Sequence, residues 1–356
     1  MAFDLLTHLK ELCARPGLPG HETPVAEYLR AEWAPFTESQ QVHPLGSLWA
    51  VRPGQGAAPR PRVMLAAHLD AIGLMVTRRE GEFLRVTSLG GVDARVMPGQ
   101  LVTVHGRADL PGVVALPPAH LLPRNLREQA PPVTELLVDT GLPAERLGQI
   151  VEVGDLVSFA QTPTELLNGL LAANRLDNRA SLAAITVCLR ELQGRAHAWD
   201  VIAAAPAQEE ISYQGGSTLG YTLRPDLAVA VDVTFGRDAN TRDAGFRTFP
   251  LGGGPVLGLG PNIHAGLLAA LQAAAQRAEI PHAVEPMWGH SGTDAYALQV
   301  AREGIPTAVV SIPLRNMHTP VEIVSLSDII RAGRLLAEFC AGLGEDFLAG
   351  LGLDQS

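Results

Sequence analysis

The sequence predicts an α/β fold in which a mostly parallel sheet is sandwiched by helices and a β-rich module is inserted. Three observations carry this. Helix and strand patterns alternate after Thr164, and the stretch from Leu74 to about Phe159 changes to short Val- and Thr-rich runs. The third is length: 356 residues suffice for about two domains. Hydrophobic residues make up 47% and charged residues 18%, which allows a sizeable core and argues against disorder.

Taken in order, MAFDLLTHLKELC reads as an amphipathic helix with Asp4 early and Phe3, Leu5, Leu6, Leu9 and Leu12 on one side. It has neither the basic start nor the apolar run of a signal peptide. Arg62 to Ala67 is an apolar run bounded by Pro61 and ending at His68, as expected of a buried strand that delivers a polar residue from its C-terminal end. The runs LRVTSL, LVTVHG, GVVAL and DLVSFA, separated by Gly/Pro turns, make the β module. The expected domains are therefore 1–72 with 164–356, and 73–163. Beyond the module the pattern predicts a helix from about Arg179 to Leu192, a strand Val201 to Ala205, a helix about Gly215 to Leu223 and a strand Leu227 to Val231. A glycine-rich loop from Thr234 to Gly260 leads to a helix Ile263 to Ala278, a helix beginning near Asp294, a strand Thr307 to Ile312 and a final helix Ser327 to Leu343.

A formal charge of −10 with no Lys/Arg run argues against nucleic acid or an anionic membrane surface as partner. No stretch of about 18 uncharged apolar residues marks a membrane span. Cys13, Cys188 and Cys340 are far apart, which supports neither a disulfide framework nor a thiolate zinc site, and a cytoplasmic location is expected.

No H-E-x-x-H, G-x-S-x-G, P-loop or G-x-G-x-x-G occurs, so a site must be assembled from separated segments. Acids or histidines stand where predicted strands end, at His68-Leu69-Asp70, Asp177, Glu209-Glu210, Asp232 and His318. In open α/β sheets the functional crevice lies beyond the carboxyl ends of the strands, which would gather these places. Imidazoles with carboxylates suit zinc, cobalt or manganese, and carboxylates can bridge two ions that share an activated water. Blander roles compete with these. Asp177 is placed to cap the helix near Arg179, and Asp294 to cap the next one. Asp70, at i+2 from His68, can accept the second ring N–H of that imidazole. Glu209 and Glu210 repel unless something positive separates them, in which case one can ligate and the other act as general base. Asp232 interrupts LAVAV, where a bare charge is costly unless paired or metal-bound. Composition does not distinguish His318 from His120 or His290.

The chain resembles the cytosolic dinuclear-metal aminopeptidases of the glutamyl aminopeptidase and tetrahedral (TET) aminopeptidase family, some of whose members are labelled endoglucanase or cellulase. The resemblance rests on Ala67-His68-Leu69-Asp70 with the following Ile72 to Val76, Leu176-Asp177-Asn178-Arg179, Glu209-Glu210 before Gly215-Gly216, and Val231-Asp232. It continues through Gly252 to Pro255, Gly292-Thr293-Asp294-Ala295 and Pro313 to Glu322, collinear over nearly the whole chain. It implies a metal-dependent aminopeptidase acting on short peptides with a free N-terminus, built as a zinc-peptidase-like catalytic domain with a PDZ-like oligomerisation insert. It further implies that Asp177 bridges two divalent ions, zinc foremost with cobalt or manganese as alternatives. His68 and Asp232 would complete one site, Glu210 and His318 the other. Glu209 would be the general base, with Asp70 supporting the catalytic set. Assembly as a homo-oligomer, from dimer to tetrahedral dodecamer, is implied as well. Ala71 stands where many relatives carry Glu, Asn178 where a second Asp is frequent, and Asn316 and Thr319 where Tyr and Ser are common. None of these departures removes an implied ligand. The alternatives are a related co-catalytic carboxypeptidase or N-acyl amino acid deacylase, and a non-catalytic metal-binding assembly protein.

Overall fold

The computed structural model describes residues 3–121, 124, 131–239 and 247–351. Helices α1 (Leu5–Ala14) and α2 (Thr23–Trp33) lead into strands β1 (Ser39–Val42), β2 (Leu48–Arg52) and β3 (Arg62–Ala66). There follow β4 (Gly73–Glu80), β5 (Phe83–Leu89), β6 (Leu101–His105), β7 (Asp109–Ala115), β8 (Leu137–Asp139), helix α3 (Ala144–Ile150) and β9 (Leu156–Phe159). The chain continues through β10 (Thr164–Leu166), β11 (Leu170–Ala173), α4 (Leu176–Glu191), β12 (Asp200–Ala205), α5 (Glu209–Ser212), α6 (Gln214–Leu223) and β13 (Leu227–Phe235). It ends with β14 (Val256–Leu259), α7 (Ala265–Arg277), β15 (Ala283–Pro286), α8 (Asp294–Gln299), β16 (Thr307–Arg315), β17 (Glu322–Ser325) and α9 (Leu326–Gly342).

The large sheet runs β1-β2-β12-β3-β13-β16-β17-β11-β10, and β14, itself paired with β15, joins at β16. Its centre, β12-β3-β13-β16, is parallel, but the flanks β1-β2-β12 and β16-β17-β11-β10 are antiparallel. The sheet is therefore mixed, which corrects the expectation of a mostly parallel one. Antiparallel neighbours need only short returns, whereas parallel ones need crossover helices, and it is the helices that the sequence pattern displays. Along β3, Val63 and Leu65 enter the core beneath α1, α2, α4, α7 and α9, while Met64 and Ala66 enter the one beneath α6 and α8. Both faces of the strand are buried, which is why its sequence is apolar without alternation.

The stretch read as β-rich is a closed antiparallel six-stranded barrel, β4-β5-β8-β7-β6-β9, around its own core of Leu74, Val76, Leu84, Val86, Val104, Val138 and Val157 among others. Its loop between β5 and β6 reaches the sheet's C-terminal edge, where the Asp93 N–H meets the His318 carbonyl at 3.4 Å.

Helix ends lie within two or three residues of expectation, and the regular part of α4 opens at Arg179, as expected, because Asp177 and Asn178 have non-helical dihedrals. The expected loop from Thr234 is shorter: β13 runs on to Phe235 and β14 occupies its far end. Residues 240–246 of that loop lie outside the described residues. No described helix is long and apolar enough to cross a membrane, and all three cysteines are buried and free.

Candidate metal centre and active site

β3 ends at Ala66, and the chain carries His68 over the carboxyl edge of the sheet. Ala230 of β13 pairs with Ala66, so Asp232, two residues on, stands level with His68. The Nδ1 of His68 lies 3.1 Å from the Asp70 carbonyl oxygen, which fixes the proton there and leaves Nε2 facing the crevice. That Nε2 is 3.2 Å from Asp177 Oδ1, 3.8 Å from Glu209 Oε2 and 4.0 Å from Asp232 Oδ1. On the other side, His318 Nε2 is 3.4 Å from Asp177 Oδ2 and 3.6 Å from Glu210 Oε2. The five separated stretches thus meet, and the two oxygens of Asp177 face different imidazoles.

The surroundings show which of these residues cap helices. Asp177 does not cap α4, which has no side-chain cap; its own N–H donates to Glu322 Oε2 at 3.0 Å. The other oxygen of Glu322 accepts the His318 N–H at 3.1 Å. Asp70 Oδ1 is 3.5 Å from the His68 ring, but its carboxylate chiefly accepts the N–H groups of Glu209 and Glu210, at 2.9 and 3.0 Å. It thereby presents this pair from the first turn of α5. Thr293, not Asp294, caps α8, and the Asp294 carboxylate is buried beside Gly216. His290 packs against Tyr296, with ring centroids 4.1 Å apart, and His120 belongs to a short turn in the β7–β8 connection.

The electrostatics follow from burying many acids together. Asp70, Asp177, Glu209, Asp232, Asp294 and Glu322 are all buried. Burial, reinforced by Asp232 and Asp294, pushes the Glu209 carboxyl up to about 11. Burial and repulsion from Asp177 raise Glu210, and burial raises Asp232 well above its usual range and Asp294 to about 7. Asp177 is the exception: its two imidazole neighbours outweigh burial and hold it low. Burial opposes the charged form of His68, yet Glu209 and the other surrounding carboxylates keep it protonated far above the usual imidazole range. Without a cation the cluster must retain protons that a divalent ion would displace. His68 with Glu209 and Asp232, and His68 with Asp177 and Glu210, each offer ligand atoms close enough for one ion, and Glu210 Oε1 is buried without a hydrogen-bond partner. The residues fit a metal.

A cavity of about 390 Å³ opens over these groups and extends past Tyr213, Thr234, Phe235, Glu285 and Met287. Sequence reasoning did not single out Glu285 or the bracing role of Glu322. Glu285 sits on a short strand inside the span of a helix-rich pattern, and Glu322 acts on backbone N–H groups.

A family model of M42 glutamyl aminopeptidases matches residues 46–335. The lysyl aminopeptidase of Pyrococcus furiosus is 33% identical over 330 residues, 90% of this chain and 92% of that one. The structure of a TET aminopeptidase from a marine sediment archaeon of the Thaumarchaeota is similar with a TM-score of 0.92 at 27% identity, covering 98% of this chain and 99% of that one. The TET1 peptidase of Pyrococcus horikoshii, described as assembling into a tetrahedron or a large octahedral shell, gives 0.83 at 26% identity over 96% of this chain and 100% of that one. With the cluster of histidines and carboxylates at the sheet edge, these matches establish that the chain belongs to the M42 glutamyl aminopeptidase family and is a metal-dependent aminopeptidase.

Proposed function

We propose that this aminopeptidase works with two divalent ions, zinc foremost with cobalt or manganese as alternatives, and releases the N-terminal residue of short peptides with a free amino group. Asp177 would bridge the ions, His68 and Asp232 would hold one, and Glu210 and His318 the other. The observation that carries this reading is the Asp177 carboxylate, whose two oxygens lie 3.2 and 3.4 Å from different imidazole nitrogens. When bound, the ions would lower the pKa of a shared water and polarise the scissile carbonyl.

Glu209 is the base. It is buried at the cavity wall, its backbone N–H is held by Asp70, and its carboxylate takes the proton of the attacking water at Oε2 and returns it to the leaving amine. Asp70 acts by holding Glu209 and Glu210 in place. Glu209 is also close enough to His68 and Asp232 to ligate, and one variant separates the two roles. As a base, Glu209→Gln lowers kcat by about 10²- to 10⁴-fold with metal content retained. Elemental analysis showing an ion lost along with turnover would make it a ligand instead.

The domain division is proposed as 1–72 with 164–356 for catalysis and 73–163 as a PDZ-like module for assembly. Homo-oligomers, from dimer to tetrahedral dodecamer, are supported by the assemblies of the Pyrococcus horikoshii relative.

A further inference from the structure

We propose that Glu285 makes the cavity beside the metal centre a subsite for a cationic N-terminal side chain, so that peptides beginning with lysine or arginine are the favoured substrates. The proposal rests on the two-ion reading, which places the scissile bond at the His68–Asp177–His318 end of that cavity.

Glu285 lies on β15, and its carboxylate lines the same cavity as the metal centre. Its Oε2 accepts the hydroxyl of Thr234 at 2.7 Å. Thr234 follows Asp232 by two positions on β13, and both line the cavity. Residues i and i+2 of a strand share a face about 7 Å apart, so the hydroxyl that anchors the carboxylate belongs to a residue one such step from Asp232. That step is comparable to the reach of a four-methylene stem from the reacting end of a substrate. Met287, Phe235 and Tyr213 line the same cavity and offer the apolar surface that such a stem needs.

Charge points the same way. Among the described residues no lysine or arginine lines the cavity, and Glu285 makes no ion pair. Burial pushes its carboxyl up, a cost that an arriving ammonium or guanidinium offsets. An acidic side chain entering the same space meets repulsion that no described cation of the cavity lining compensates. The Thr234 hydroxyl fixes one oxygen, which orients the carboxylate before the substrate arrives.

The test is a set of aminoacyl reporters run on the metal-loaded enzyme, with lysine, arginine, glutamate and norleucine, the last being the uncharged shape analogue of lysine. For the wild type, kcat/KM for lysine exceeds that for norleucine about tenfold or more, and glutamate is slowest. Glu285→Gln collapses the lysine-to-norleucine ratio towards one, and Glu285→Lys raises glutamate above lysine. A ratio unaltered in Glu285→Gln overturns the proposal. So does an equal fall for every reporter, which would mean that Glu285 anchors the shared α-ammonium. Wild-type hydrolysis of any reporter shows the catalytic reading intact whatever the ratios. No hydrolysis of any of them by fully loaded protein would end both.

Discussion

Glu322 reaches only backbone, yet its two oxygens hold the N–H groups of Asp177 and His318, so one carboxylate sets the spacing of two proposed ligands. The need is physical, since His318 has a φ of 61°, a left-handed conformation that residues other than glycine seldom adopt. Glu322→Gln keeps the shape but replaces one acceptor with a donor that faces an N–H. Metal affinity then falls about 10- to 100-fold, read by titration of the apoprotein, and stability falls by about 1–3 kcal/mol for the orphaned group. Wild-type affinity in that variant would show that the brace does not set the ligands. The limits of sequence reading are visible at this scale. His68 and Asp232 were legible because strand ends put polar residues at a crevice, whereas only the family resemblance set His318 apart from His120 and His290. Glu322 and the capping of α5 by Asp70 were not, because a side chain bonded to backbone N–H groups leaves no spacing rule between residue types. At α8, capping was read onto Asp294, whereas the hydroxyl of Thr293 one residue earlier performs it.

Helix α4 carries Asp177 at its start and is buried along almost its whole length, between β13 and α9. The close approach of α9 depends on Gly333, where a Cβ would lie 2.5 Å from the Ala184 carbonyl oxygen and 2.5 Å from Val187 Cβ. Alanine would regain about 1 kcal/mol of helix propensity, so valine is the cleaner probe. Gly333→Val lowers stability by about 1–3 kcal/mol through overpacking, seen as a lower denaturant midpoint. A midpoint equal to the wild type would mean that the two helices part without cost. Among the elements, α4, α7 and α9 were legible from long apolar periodicity. The flanking strands β1, β10 and β15 were not: β1 and β10 are short and largely exposed, with the sequences SQQV and TEL that carry little burial signal, and β15 is a half-buried strand of four residues. β13 ran past its expected end because VDVTF stays buried up to Thr234, the charge at Asp232 having looked like a terminus.

The molecule as a whole carries a net charge of −10, and a concentrated share of its acids lies buried in one centre. Ions that bind only the folded chain stabilise it by mass action, about 2.7 kcal/mol at a hundredfold excess over Kd. Stripping the protein with a chelator therefore lowers Tm by a few degrees, and adding zinc back restores it, as read by scanning calorimetry. A Tm indifferent to both treatments would show that no ion engages the native state there. At this scale the order of the motifs and the β-rich interruption were legible in the sequence. The closed barrel was not, because pairing β4 with β9 joins strands from opposite ends of the module. The barrel's contact with the C-terminal edge of the large sheet was equally hidden. A Cβ at Gly91, in the loop between β5 and β6, would lie 2.5 Å from His318 Nδ1, which leaves room there for glycine alone. The insert is consequently not an interchangeable cartridge: transplanting one from another peptidase would bring a foreign loop tip against the His318 imidazole of the proposed metal centre, so a graft has to keep glycine at that tip.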